Sequence, residues 1–186
     1  MRIKIFLMGI LIFIIYSLFG FAQDAKKEFK YVGSTKCKTC HNAAKNGEQY
    51  KVWQNSKHSK AYEDLKSESA KKKAKIVGVE DPLKSEKCLS CHSPVYGKKN
   101  VESSFKIEEG VGCEACHGPG SDYKKMSIMK EKAKAAAAGL ILPDEKTCAN
   151  CHKKDNPGHE GKFTTFAKEY PKIAHKIPPE NDRRKK

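Results

Sequence analysis

Beyond its first 22 residues the sequence has few leucines, isoleucines, valines and phenylalanines, and no long apolar run. That scarcity excludes a spanning helix in the body of the chain and a conventional core built from side chains alone. No repeat of fixed length is visible, which excludes a tandem array. No nucleic-acid motif accompanies the excess of Lys and Arg over Asp and Glu, 37 against 22, so the basic charge is not read as nucleic-acid binding. No cysteine is left over either, because the eight present fall into four pairs.

Each pair sits in one five-residue frame: Cys37-Lys-Thr-Cys40-His41, Cys88-Leu-Ser-Cys91-His92, Cys113-Glu-Ala-Cys116-His117 and Cys148-Ala-Asn-Cys151-His152. This is the attachment frame for c-type haem. The two thiols add across the porphyrin vinyl groups, and the following histidine swings under the ring to ligate iron. The chain has only 7 histidines. Chance would put one after all four pairs in roughly one sequence in a million. A pair of CxxC zinc sites would need no histidine at that place and suits a reducing compartment better. Disulfides between cysteines so close in sequence would staple no distant segments. Four covalently bound haem c groups are therefore expected, with His41, His92, His117 and His152 as the proximal ligands.

Residues 1–22 read as a secretory signal peptide. Arg2 and Lys4 form a basic start, an apolar stretch runs from Ile5 to Phe19, and Gly20-Phe21-Ala22 offers small residues for cleavage after Ala22. An uncleaved anchor is the alternative, although the stretch is short for a spanning helix. Haem is attached after export, so leader and motifs both imply a periplasmic protein. Residues 23–179 then form one tetrahaem domain and residues 180–186 a charged, disordered tail. With about forty residues per haem, the porphyrins must supply much of the interior, and the apo-chain is not expected to fold. The formal charge of +15 falls to about +5 once Arg2 and Lys4 are removed and two propionates per haem are added. A lysine surface of this kind steers toward acidic redox partners or anionic membrane surfaces, with membrane association weak or absent after cleavage.

Local pattern places the motifs on short helices. Lys36 to Asn42 reads as a helical turn. A helix is expected from Glu48 to Lys66, with His58, Ala61, Tyr62 and Leu65 on one face. Lys66 to Lys75 continues it as a solvated polar helix ended by Pro82. Only residues 93–112 separate the second and third motifs, so those two haems are expected to be neighbours. Gly97-Lys-Lys-Asn100 reads as a turn between two short extended pieces. The glycines flanking Cys113 to His117 are expected to let backbone approach a porphyrin face. Met126 to Ala138 reads as one helix ended by Gly139, and Pro143-Asp144 restarts the chain into the fourth motif. From Lys153 onward the chain reads as loop.

Four pieces carry a family resemblance: Tyr31-Val-Gly-Ser-Thr-Lys-Cys37, Trp53-Gln-Asn-Ser-Lys-His58, Gly110-Val-Gly-Cys-Glu-Ala-Cys-His-Gly-Pro-Gly120 and Ile173-Ala-His175-Lys-Ile-Pro178. In them the chain resembles the cytochrome c-554 family of periplasmic tetrahaem cytochromes. The resemblance implies a mainly α fold, a small multihaem cytochrome with short helices and long loops wrapped around four closely packed haems, and electron transfer as the activity. It also implies distal histidines at His58 and His175. In the family's best-known form three haems have two histidine ligands and the second has an open site.

Three histidines remain after the proximal four: His58, His159 and His175. One haem must therefore lack a distal histidine from its own chain. Each of the three is a candidate ligand, with an ordinary surface or packed histidine as the alternative. The family's histidine shortly after the third motif is missing here, and the window holds Met126 and Met129 instead. Either can ligate the first haem, or both can pack as helix core. The leading reading is a periplasmic electron carrier in a respiratory chain, without a catalytic residue of its own. The alternatives are a small reductase of a nitrogen or sulfur oxide at an open iron, and a subunit of a larger multihaem assembly in which a neighbouring chain fills the vacancy.

Overall fold

The computed structural model describes residues 27–153 together with Asn156 and His159. The expected signal peptide, His175 and the charged tail lie outside the described residues. Within them the chain is helical, and its β-structure is limited to an isolated parallel bridge between Tyr31 and Val101. The helices are short: α1 (Lys38–His41), α2 (Gln49–Gln54), α3 (Ala61–Asp64), α4 (Glu68–Ile76), α5 (Glu86–His92), α6 (Cys113–His117), α7 (Met126–Met129), α8 (Lys132–Ala137) and α9 (Glu145–Ala149). Single 3₁₀ turns at Ser34–Lys36, Ala44–Asn46, His58–Lys60 and Ile107–Glu109 join them. Among the described residues no helix is long and apolar enough to cross a membrane.

The mainly α expectation holds, but several long helices break. The segment expected to run unbroken from Glu48 to Lys66 is interrupted after Gln54. There the Ser59 hydroxyl donates to the carbonyls of Gln54 (2.8 Å) and Ser56 (2.9 Å), and such side-chain bonds compete with the helical ladder. The segment from Met126 to Ala138 splits at Glu131, whose extended backbone folds α8 back against α7. Gly139 does terminate α8, with φ of 98°. Helix α4 ends at Ile76, well before Pro82; Ser67 caps its start by accepting from the Ala70 N–H at 3.1 Å. Helix α9 starts on a capping box in which Asp144 accepts from the Thr147 N–H at 2.9 Å. The two extended pieces expected around Gly97 do not form; only Val101 pairs, with Tyr31.

The side-chain core is thin. One cluster joins Tyr123, Ala135 and Ala138 to Ile128, Met129 and Leu140. Elsewhere Val32, Leu65, Leu89 and Val95 are buried singly along the chain. Backbone clasps take the place of a core. Val111 donates to the His58 carbonyl at 2.9 Å, and the Trp53 indole N–H donates to the Val111 carbonyl at 2.8 Å. This clasp needs Gly110: its φ is 67°, and a Cβ there would lie 2.7 Å from the His58 carbonyl oxygen. At Gly118, with φ of 75°, a Cβ would lie 2.7 Å from the Gly139 carbonyl oxygen. Gly110 and Gly118 thus admit neighbouring backbone.

Candidate haem centres

The first three motifs lie on short helices that end at their histidines, α1, α5 and α6, and the fourth begins on α9, which ends at Ala149 within it. One turn of helix puts both cysteines and the histidine on neighbouring positions of one surface. None of the eight cysteines is bonded to another. In the attached protein each Sγ becomes a thioether sulfur, so the thiol contacts below report how close the attachment points lie, not acid–base chemistry.

Backbone carbonyls orient two of the proximal imidazoles and a glutamine side chain a third. His92 Nδ1 lies 2.6 Å from the Ala61 carbonyl oxygen and His117 Nδ1 lies 3.0 Å from that of Ile141. His41 Nδ1 lies 3.4 Å from the Gln49 side-chain oxygen. A ring that donates through Nδ1 turns Nε2 toward a metal. Residues distant in sequence therefore fix the tautomer required for ligation.

The motifs are brought together in pairs. Cys37 and Cys113 lie close enough to shift each other's acidity, as do Cys91 and Cys151, and Cys151 Sγ lies 4.0 Å from the Ser90 carbonyl oxygen. Cys116 lies close enough to Cys148 and Cys151 for their charges to interact. The second motif therefore meets the fourth, and the third meets the first. Cys116 also lines one cavity with Cys88 and Cys91, so the second and third motifs share it, and the long-range pairing is what closeness in sequence does not show. A cavity of about 1510 Å³ is lined by the second and fourth motifs together, with Cys116 at its wall. That exceeds the ~300–1,000 Å³ of an ordinary small-molecule site and suits two large planar groups.

Two distal candidates line this cavity. His58 faces His152, with ring centroids 5.9 Å apart and planes at 85°. His159 faces His92, with centroids 5.8 Å apart and planes at 28°. Two imidazoles on one metal, each with a metal–nitrogen bond of about 2 Å, have centroids about 6 Å apart. Both pairs have the separation that one iron between them requires. Burial and the nearby His152 lower the pKa of His58, which favours the neutral ring that ligates metal. Met126 has no enclosed position and is 60% exposed. Met129 packs against the Tyr123 cluster, as the core alternative has it.

Two carboxylates absent from the sequence reading organise the first–third pair. Glu114, in the variable slot of the third motif, is buried. It accepts from the N–H groups of Val32 (2.9 Å), Gly33 (2.7 Å) and Gly120 (2.6 Å). Burial raises its pKa, opposed by those hydrogen bonds. Glu109 accepts from the Ser34 N–H at 2.7 Å, and the Ser34 hydroxyl accepts from the Cys113 N–H at 2.9 Å. Burial pushes Glu109 up to about 7. The available signal was an acid inside an otherwise small-residue, glycine-flanked motif. Among the described residues no three His, Cys, Asp or Glu side chains converge as a zinc site would require.

Comparison with known proteins agrees with this geometry. The family model described as cytochrome c554 and c-prime matches residues 36–118. Cytochrome c-554 of Nitrosomonas europaea is 33% identical over 147 residues, which span 70% of this chain and 60% of that protein. The chain thus matches somewhat less than two thirds of that relative's length. A C-type polyheme cytochrome, OmcC, of Geobacter sulfurreducens is 32% identical over 72 residues, 35% of this chain and 9% of that one. The solved reduced state of cytochrome c554 from Nitrosomonas europaea superposes with a TM-score of 0.59 at 26% identity. That match covers 81% of this chain and 86% of the other.

Proposed function

Because the chain belongs to the cytochrome c-554 family, we propose that it is a periplasmic tetrahaem c-type cytochrome carrying electrons between redox proteins of a respiratory chain. In this reading residues 1–22 direct export and are removed, residues 23–179 hold the four haems, and residues 180–186 form a charged tail. The eight motif cysteines are the covalent anchors. His41, His92, His117 and His152 are the proximal ligands, and His58 and His175 serve as distal ones.

The observation that carries the proposal is the succession of anchors. Cys37 neighbours Cys113, Cys116 neighbours Cys148, and Cys151 neighbours Cys91. Groups held there follow one another in the order first, third, fourth, second, which gives a continuous path for electrons. Bound haem supplies the one-electron iron couple. The chain holds the His41, His92 and His117 imidazoles by their second nitrogen and tunes the irons through ligands and burial. Its surface lysines steer acidic partners toward it.

Intact mass should give four haems on a chain that begins at Gln23. The redox titration should then consume four electron equivalents, and exchange with an acidic redox protein should slow as salt rises. A second reading, a small reductase of a nitrogen or sulfur oxide, is favoured by the count of 7 histidines, one too few for two on every iron. Steady turnover of nitrite or sulfite by the reduced protein would favour it over the carrier.

A further inference from the structure

We propose that His159 is the distal ligand of the haem anchored at Cys88 and Cys91, so that the second iron is closed by two histidines. This rests on the tetrahaem reading above and departs from the open second site that the family resemblance implies.

Three observations converge on it. The His159 ring stands 5.8 Å from that of His92, its plane tilted by 28°, the spacing an intervening iron requires. Both rings line the cavity that contains Cys88 and Cys91, the anchors of this same haem. His92 commits Nδ1 to the Ala61 carbonyl at 2.6 Å, which leaves Nε2 for the metal. The segment bearing His159 is also anchored. The His159 N–H donates to the Asn156 carbonyl at 3.0 Å, and the Asn156 side-chain amide donates to the Cys151 carbonyl. His159, so tied to the fourth motif, stands across from His92 of the second. Cys151 Sγ itself lies 4.0 Å from the Ser90 carbonyl oxygen inside the second motif.

The assignment relocates the shortage of histidines. With His58 opposite His152 and His159 opposite His92, only His175 remains for the irons of His41 and His117. The iron without a second histidine then belongs to the first or third motif, at the other end of the path.

The test uses the full mature holoprotein. Mass must first give four haems; fewer would sink the tetrahaem reading itself. Given four, His159→Ala should convert one ferric haem from low to high spin in the electron paramagnetic resonance spectrum. The reduced variant should bind one more equivalent of carbon monoxide than wild type, and added imidazole should restore the low-spin signal. His58→Ala should open a different haem, so the double variant should gain two high-spin irons. An unchanged spectrum in His159→Ala, or a double variant that gains one, overturns the proposal. Should the variants not accumulate, the reduced wild-type protein decides. Its His159 ring protons should show nuclear Overhauser contacts to the porphyrin that also contacts the Cys88 and Cys91 β-protons. Contacts to another porphyrin, or to none, overturn it.

Discussion

The His58 imidazole meets that of His152 nearly at right angles, with centroids 5.9 Å apart. One lies in the 3₁₀ turn before α3 and the other follows α9, so a shared iron would tie two distant segments together. The carbonyl of His58 is held as well, by the Val111 N–H at 2.9 Å. Both ends of the residue are thereby fixed.

His58→Ala should therefore do two things at once. One haem should pass from low to high spin, and stability should fall by about 2–4 kcal/mol, the scale for losing a crosslink. Visible and paramagnetic resonance spectra check the first, and denaturant unfolding of the ferric protein checks the second. A drop in stability with an intact low-spin spectrum would make His58 a packing residue.

Glu114→Ala should cost at least about 3 kcal/mol, because the buried N–H groups of Val32, Gly33 and Gly120 lose their acceptor together. The unfolding midpoint should fall with the slope against denaturant unchanged. Glu114→Gln, which keeps one oxygen, should cost less. Equal losses in both variants would mean that the charge, not the hydrogen bonding, holds the clasp.

Glu109 makes stability depend on pH. Its carboxyl is pushed up from 4.5 to about 7 by burial, against the Ser34 hydrogen bonds that pull it down. Between those values the folded protein holds a proton that the unfolded chain has released. Stability therefore falls as pH rises through that window, and the loss is complete above about 7. Glu109→Gln should flatten this part of the profile. Tm measured at pH 4.5, 6 and 8 tests the sign, and a wild-type Tm that rises across the same interval would contradict it.

Met129→Ala should destabilise the protein by about 2 kcal/mol, as a partly buried methionine in the Tyr123 cluster should. It should leave the visible spectrum unchanged. Met126→Ala, at a position 60% exposed, should change neither. Loss of a near-infrared charge-transfer band in either variant would instead identify a methionine ligand on iron.

The anchors were legible because their chemistry is local: two thiols and an imidazole must sit within one helical turn. The stop at Gly139 and the start at Asp144 were legible for the same reason, one resting on a glycine's backbone freedom and the other on a local side-chain cap. The pairing of motifs was not. It depends on Glu114 reaching Val32 and on Cys151 reaching Ser90, contacts between segments that no periodicity links. The break after Gln54 was hidden too, because Asn55, Ser56 and Ser59 each tolerate a helix alone and disrupt it only together. His159 read equally well as an exposed loop histidine, because its place opposite His92 is a contact across 67 residues.

The grip of Glu114 on Val32 and Gly33 has a consequence for how the protein is made. The residue that holds the backbone before the first motif lies in the third, 77 residues beyond Cys37 in the sequence. A chain exported from its N-terminus presents the Cys37 and Cys40 thiols before Glu114 arrives to clasp Val32 and Gly33. Attachment at the first motif can therefore precede the closure that the third motif makes.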